Sequence, residues 1–133
     1  MSRLLLDTHI FLWSLLDPER LSANITTELE SSDNAIWISP ITTWEVIILA
    51  EKGRLKLDDE PVTWMKNVLQ SLPFRQATLN HEVAMKSRKI HLPHQDPADR
   101  FIVASAMVYD LTLVTSDKIL IQSAKYVSIL PNQ

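Results

Sequence analysis

Asp7, Glu45, Asp96, Asp99 and Asp117 are scattered over most of the chain, yet each falls where an apolar run gives way to the start of a helical segment. Asp7 follows RLLL (3 to 6) and Asp117 follows LTLVTS (111 to 116), while Glu45 and the Asp96/Asp99 pair lie within first helical turns. In a parallel α/β sheet, the C-terminal strand ends and the helix starts that follow them gather on one edge, where ligand sites form. Carboxylates collected there repel one another, raising pKa values or destabilising the fold unless divalent cations lie between them. With no cysteine in the chain, the ligands are oxygen or imidazole, and that donor chemistry points to Mg²⁺ or Mn²⁺. Two such ions held together can activate a water and stabilise the leaving oxygen in phosphodiester cleavage.

Every one of these acids also has a purely structural reading. Aspartate is favoured at helix N-termini by unsatisfied N–H groups and the helix dipole, so Asp7 is a candidate cap for THIFLWSLL and Asp117 for KILIQSAK. Thr42-Thr43-Trp44-Glu45 matches a capping box ahead of an apolar run. Against that, the segment ITTWEVIILAEK is apolar nearly all round, which predicts a buried helix, and a buried carboxylate needs a partner or a metal. In HQDPADR (94 to 100), Pro97 suits the first helical position, which makes Asp96 the N-cap and leaves Asp99 in the first turn without a capping duty.

The elements that must position these groups alternate in type. Strand candidates are RLLL, AIWIS (35 to 39), FRQATL (74 to 79), LTLVTS and YVSIL (126 to 130). Helical segments lie between them: THIFLWSLL, broken at Asp17-Pro18; ANITTELESS; the helix opened by Pro40 and stopped at Gly53; VTWMKNVLQSL; HEVAMKSRKI, capped by Asn80; the DPADR helix to about Tyr109; and KILIQSAK. Strands alternating with helices imply a mainly parallel sheet covered on both faces.

Composition narrows the function classes. At 133 residues, 46% hydrophobic and 22% charged, the chain reads as a single folded domain over residues 1–133 without linker or repeat. The single glycine, Gly53, excludes a P-loop, a dinucleotide-binding glycine turn and a GxSxG nucleophile elbow. Asp7 and His9 interrupt the apolar N-terminus, so neither a signal peptide nor a membrane span is expected, and a cytoplasmic location is. The formal net charge of −3 argues against holding nucleic acid by bulk charge, unless metal ions supply the positive charge.

The ordered set LLLDTHIFLW, ISPITTWEV, HQDPADRFIVASAMV and LTLVTSD resembles the PIN-domain ribonucleases, in particular VapC-type toxins of bacterial toxin–antitoxin pairs. The first and third stretches are specific to this branch, whereas TWE and TSD alone are weak signals. The resemblance implies a three-layer α/β/α domain with a short five-stranded parallel sheet ordered 3-2-1-4-5. It also implies Mg²⁺- or Mn²⁺-dependent cleavage of RNA, an antitoxin protein partner, and homodimers that assemble with that antitoxin. By position, the family's acidic site carries over to Asp7, Glu45, Asp99 and Asp117 as catalytic and metal-binding residues, with Asp96 supporting them from behind.

Arg100 and His94 flank that site and offer contacts to substrate phosphate or to the acidic cluster; an exposed helix arginine and a loop histidine are the plainer readings. Thr8, Thr115 and Ser116 bring hydroxyls near Asp7 and Asp117, while His9 reads as a packing or hydrogen-bonding residue. Phe11, Trp13, Trp64 and Met65 are candidates for an antitoxin groove or for the core. Ala98 departs from the bulky apolar residue common in this branch, which bears on local packing and not on the carboxylates.

Two other classes compete. A receiver-like signalling domain also gathers acids around Mg²⁺, but it carries an acidic pair after its first strand and a lysine after its last. A PIN-like scaffold that binds RNA or protein without cutting is the remaining alternative; all four matched acids are intact. Metallophosphoesterases share the Asp-x-His start, but their downstream glycine motifs are missing.

Overall fold

The computed structural model describes residues 1–93 and 96–133. Its five strands, β1 (Arg3–Leu6), β2 (Ala35–Ile38), β3 (Arg75–Gln76), β4 (Thr112–Thr115) and β5 (Ile129–Pro131), form one sheet in the order β3-β2-β1-β4-β5. All four pairings are parallel, so the expected topology holds. The helices are α1 (Thr8–Leu16), α2 (Ala23–Glu30), α3 (Pro40–Glu51), α4 (Pro61–Ser71), α5 (His81–Ser87), α6 (Pro97–Tyr109) and α7 (Lys118–Ile121).

Strand alternation divides the core into two halves. In β1, Leu5 faces a cluster with Val83 of α5, Ile102 and Val103 of α6, and Leu113. Leu4 and Leu6 face the opposite way, into a cluster with Phe11 of α1, Ile25 of α2, Val46 of α3 and Met65 of α4. Successive strand side chains point to opposite faces, so a three-residue leucine run serves both layers.

Several elements differ from expectation for local reasons. β3 is only two residues long because the chain pairs through the Ala77 N–H to Ile38 (3.0 Å) and then turns away to reach the Asn80 cap of α5. The last strand starts later than YVSIL suggested: a 3₁₀ turn over Gln122–Lys125 holds Tyr126 and Val127 by hydrogen bonds to Ser123, and pairing with β4 begins at Ser128.

The greatest departure is α3. Its sequence is apolar all round, but only Thr42 and Val46 are buried, and Trp44 is 56% exposed. One stripe of the helix is fully buried, Ile41 and Leu49 pack half-buried against the two core clusters, and Trp44 and Glu51 face outward. The capping-box reading also fails, because the helix begins a turn earlier: Ser39 caps it through the Ile41 N–H (3.1 Å), with Pro40 in the first helical position. At the other end, Gly53 (φ +72°) accepts the left-handed conformation, donating to Ala50 while Arg54 donates to Leu49. These two bonds close the helix as a Schellman turn.

Of the aromatic candidates, Phe11 and Met65 are core residues and Trp64 packs edge-on against Phe11. Trp13 is half-buried on the outer side of α1.

Candidate active site

The C-terminal edge of the sheet carries the acids, as parallel-strand geometry requires. Asp7 immediately follows β1 and Asp117 lies two residues past β4; Glu45 comes from α3, and Asp96 and Asp99 from the start of α6. All five, with Thr8, His9, Leu49, Ile102 and Leu120, line a cavity of about 150 Å³. Chain positions 110 residues apart are thus brought to one small hollow.

Asp7 is 6% exposed, so its carboxylate needs partners. One oxygen accepts from the Ile10 N–H at 2.9 Å, capping α1, and the other accepts from the Thr115 hydroxyl. Burial pushes the carboxyl above the usual aspartate range despite these bonds, and the nearby Asp117 charge adds to the rise. Glu45, half-buried, accepts from the Thr8 hydroxyl at 2.5 Å, and Thr8 is also 3.2 Å from the Thr42 hydroxyl. Burial raises the Glu45 carboxyl too, helped by the negative charges of Asp96 and Asp7.

Thr115 joins two acids. While donating to Asp7 it accepts from the Asp117 N–H (3.0 Å), and Asp117 in turn caps α7 through the Ile119 N–H (2.8 Å). Asp96 caps α6 through the Ala98 N–H (3.0 Å), with Pro97 in the first helical position as expected. Asp99 is half-buried one turn further on, at the cavity wall.

Arg100 is not the exposed helix arginine of the plainer reading. It is 8% exposed, and its Nη1 donates to the carbonyls of Ser87 (2.9 Å) and Ile90 (2.6 Å), closing the end of α5. His94 lies outside the described residues. Thr42 is the buried contributor that sequence reading overlooked; its signal was present, since it stands three residues before Glu45 and so shares a helix face with it.

The donor set suits a hard divalent cation: carboxylates from four elements, no thiol, and burial that makes uncompensated negative charge costly. Among the described residues, no three acidic or imidazole groups converge into a ready-made coordination shell. Mg²⁺ keeps several waters and is commonly bound through one or two carboxylates, so convergence of that kind is not required.

Comparison with known proteins gives a consistent result. The PIN domain family model matches residues 4–126. Ribonuclease VapC22 of Mycobacterium tuberculosis is 32% identical over 121 residues, covering 89% of each chain. Among solved structures, VapBC2 of Rickettsia felis bound to a promoter DNA fragment superposes with a TM-score of 0.71 at 17% identity, covering 99% of this chain and 100% of that one. FitAcB of Neisseria gonorrhoeae does so with a TM-score of 0.69 at 22% identity, covering 96% of each. At these identities the structural neighbours establish the fold.

Proposed function

Because the chain belongs to the PIN-domain family, in its VapC ribonuclease branch, we propose that it is an endoribonuclease of toxin type, dependent on Mg²⁺ or Mn²⁺ and restrained by a cognate antitoxin protein. The observation that supports this reading is the cavity at the sheet's C-terminal edge, whose walls Asp7, Glu45, Asp99 and Asp117 all line. The receiver-like and scaffold alternatives have no comparable support. Assembly as a homodimer with antitoxin, in the cytoplasm, belongs to the same reading; among the described residues no helix is long and apolar enough to cross a membrane.

In this reading Asp7, Glu45, Asp99 and Asp117 would hold the cation, one or two of them directly and the others through its waters. When bound, the ion supplies the positive charge that a chain of net charge −3 needs to receive an RNA backbone, and it acidifies the attacking water. The chain's own groups prepare that site. Thr115 and the Ile10 N–H fix both oxygens of Asp7, so its carboxylate cannot rotate away. Thr8 directs Glu45 across from α1, and the Thr115 bridge to the Asp117 backbone keeps β4 and the start of α7 in register with Asp7. Asp96, occupied as a cap, steadies the turn that carries Asp99.

The test is to map new RNA 5′ ends after expressing the wild type beside Asp7→Asn. Cuts present only with the wild type are expected, and the cut sites name the RNA. Identical 5′-end profiles from the two proteins, with purified wild type inert toward RNA in Mg²⁺ and Mn²⁺, would sink the reading.

A further inference from the structure

A second hollow, of about 680 Å³, opens beside the acidic cavity, and the two share His9 and Leu49 as walls. His9 is exposed at that boundary. One turn along α1, Trp13 stacks on it with ring centroids 5.8 Å apart and planes inclined by 28°. Arg20, in the 3₁₀ turn that follows α1, sets its guanidinium 5.3 Å from the centre of the Trp13 ring and its Nε 3.0 Å from the Asp17 carboxylate. Three flat groups are therefore in contact, imidazole, indole and guanidinium. Only the imidazole also borders the acids.

Building on the ribonuclease reading above, we propose that His9, braced by Trp13 and Arg20, is the stacking platform for the nucleobase next to the scissile phosphate of a single-stranded RNA, and that the neighbouring nucleotide runs along the second hollow. Single strands are held by aromatic faces that take bases and by cations that take the backbone, a pairing indifferent to sequence because every base has a π-face. Both parts are present in the right order outward from the acids: first the His9 ring, then a hollow walled by Trp13, Arg20 and Arg54 together with four leucines and Asp17. Charge supports the same occupant. The acidic cavity repels phosphate, whereas the adjoining hollow carries Arg54 as well as Arg20, the latter paired with Asp17, and so is net positive in an otherwise acidic chain. Paired bases cannot reach such a platform, so duplexes are excluded in favour of single strands. A ring already held by its neighbour loses little freedom when a base lands on it.

The proposal is tested by steady-state cleavage of a single-stranded RNA oligonucleotide by wild type, His9→Ala and His9→Phe. His9 is exposed, so neither variant threatens folding. His9→Ala should raise KM roughly 5- to 150-fold, the loss of one base stack, with a smaller change in kcat, and His9→Phe should restore most of it. A merely structural role would not be rescued by a flat ring with no polar atoms. KM unchanged in His9→Ala, or raised equally in His9→Phe, would overturn the platform; if antitoxin then also failed to suppress cleavage by His9→Ala, the hollow would belong to a protein partner. Should the wild type cut no RNA, binding of the same oligonucleotide carrying 2-aminopurine separates the two ideas. Fluorescence quenching lost in His9→Ala and kept in His9→Phe upholds the platform and sinks the nuclease reading, and quenching independent of His9 sinks the platform as well.

Discussion

The Thr115 hydroxyl donates to Asp7 and accepts from the Asp117 N–H, so one side chain at the end of β4 fixes two of the acids. Asp7 itself holds its proton more tightly in the fold than in the unfolded chain, because burial lifts its pKa from the ordinary 3.8. As pH rises from about that value, the unfolded chain ionises first, so Asp7's contribution to stability is present at low pH and is lost as pH passes its folded pKa. We expect the melting temperature of metal-free wild type, minus that of Asp7→Asn, to fall as pH rises from about 3.8 toward neutrality. A difference that does not vary with pH would contradict the burial of an ionisable Asp7. At Asp99 the expected outcome is chemical: Asp99→Asn abolishes Mg²⁺-dependent RNA cleavage while the melting temperature of metal-free protein stays level or rises, through relief of repulsion. Full activity in that variant would remove Asp99 from the mechanism.

Helix ends do much of the positioning. Asp7, Asp96 and Asp117 each cap a helix and line the cavity at once, so capping sets where their carboxylates point. Replacing Asp96 by alanine should lower stability by about 1 kcal/mol with only partial loss of cleavage, measured by denaturant unfolding beside an RNA assay. Complete inactivation at unchanged stability would instead assign Asp96 to the metal. Gly53 closes α3 in a left-handed conformation with open space around it, so Gly53→Ala meets no clash. Its cost is backbone strain alone, about 1–2 kcal/mol. Gly53→Asn should cost less, because asparagine tolerates that region; equal losses in both variants would point to contacts rather than strain.

For the molecule as a whole, the deciding quantity is charge. With a net charge of −3 and its acids gathered on one edge, the protein's overall charge opposes an RNA backbone, so binding should depend on divalent cations. Chelation with EDTA is expected to weaken binding of single-stranded RNA roughly tenfold or more, about 1.4 kcal/mol or more, and added Mg²⁺ should restore it. Affinity indifferent to chelation would show that cationic side chains alone carry the backbone.

The order of strands and helices, their parallel pairing and the edge on which the acids gather were legible from local pattern, because hydrophobic period, proline and capping residues act over a few positions. The caps at Asp7, Asp96 and Asp117 were legible for the same reason, and family resemblance singled out the four acids. What sequence could not reveal depended on contacts between distant segments. Whether apolar α3 is buried was decided by which of its stripes meets the sheet, and Trp44 was left outside. Arg100 reads as a surface residue until α5 ends against it and offers the Ser87 and Ile90 carbonyls. The length of β3 and the start of β5 were set by where neighbouring turns release the chain. The bond from Thr115 to Asp7 spans 108 positions: residue types and spacing determined which groups were available for chemistry, and only tertiary folding decided which of them touch, because side-chain reach is a few ångströms whatever the separation along the chain.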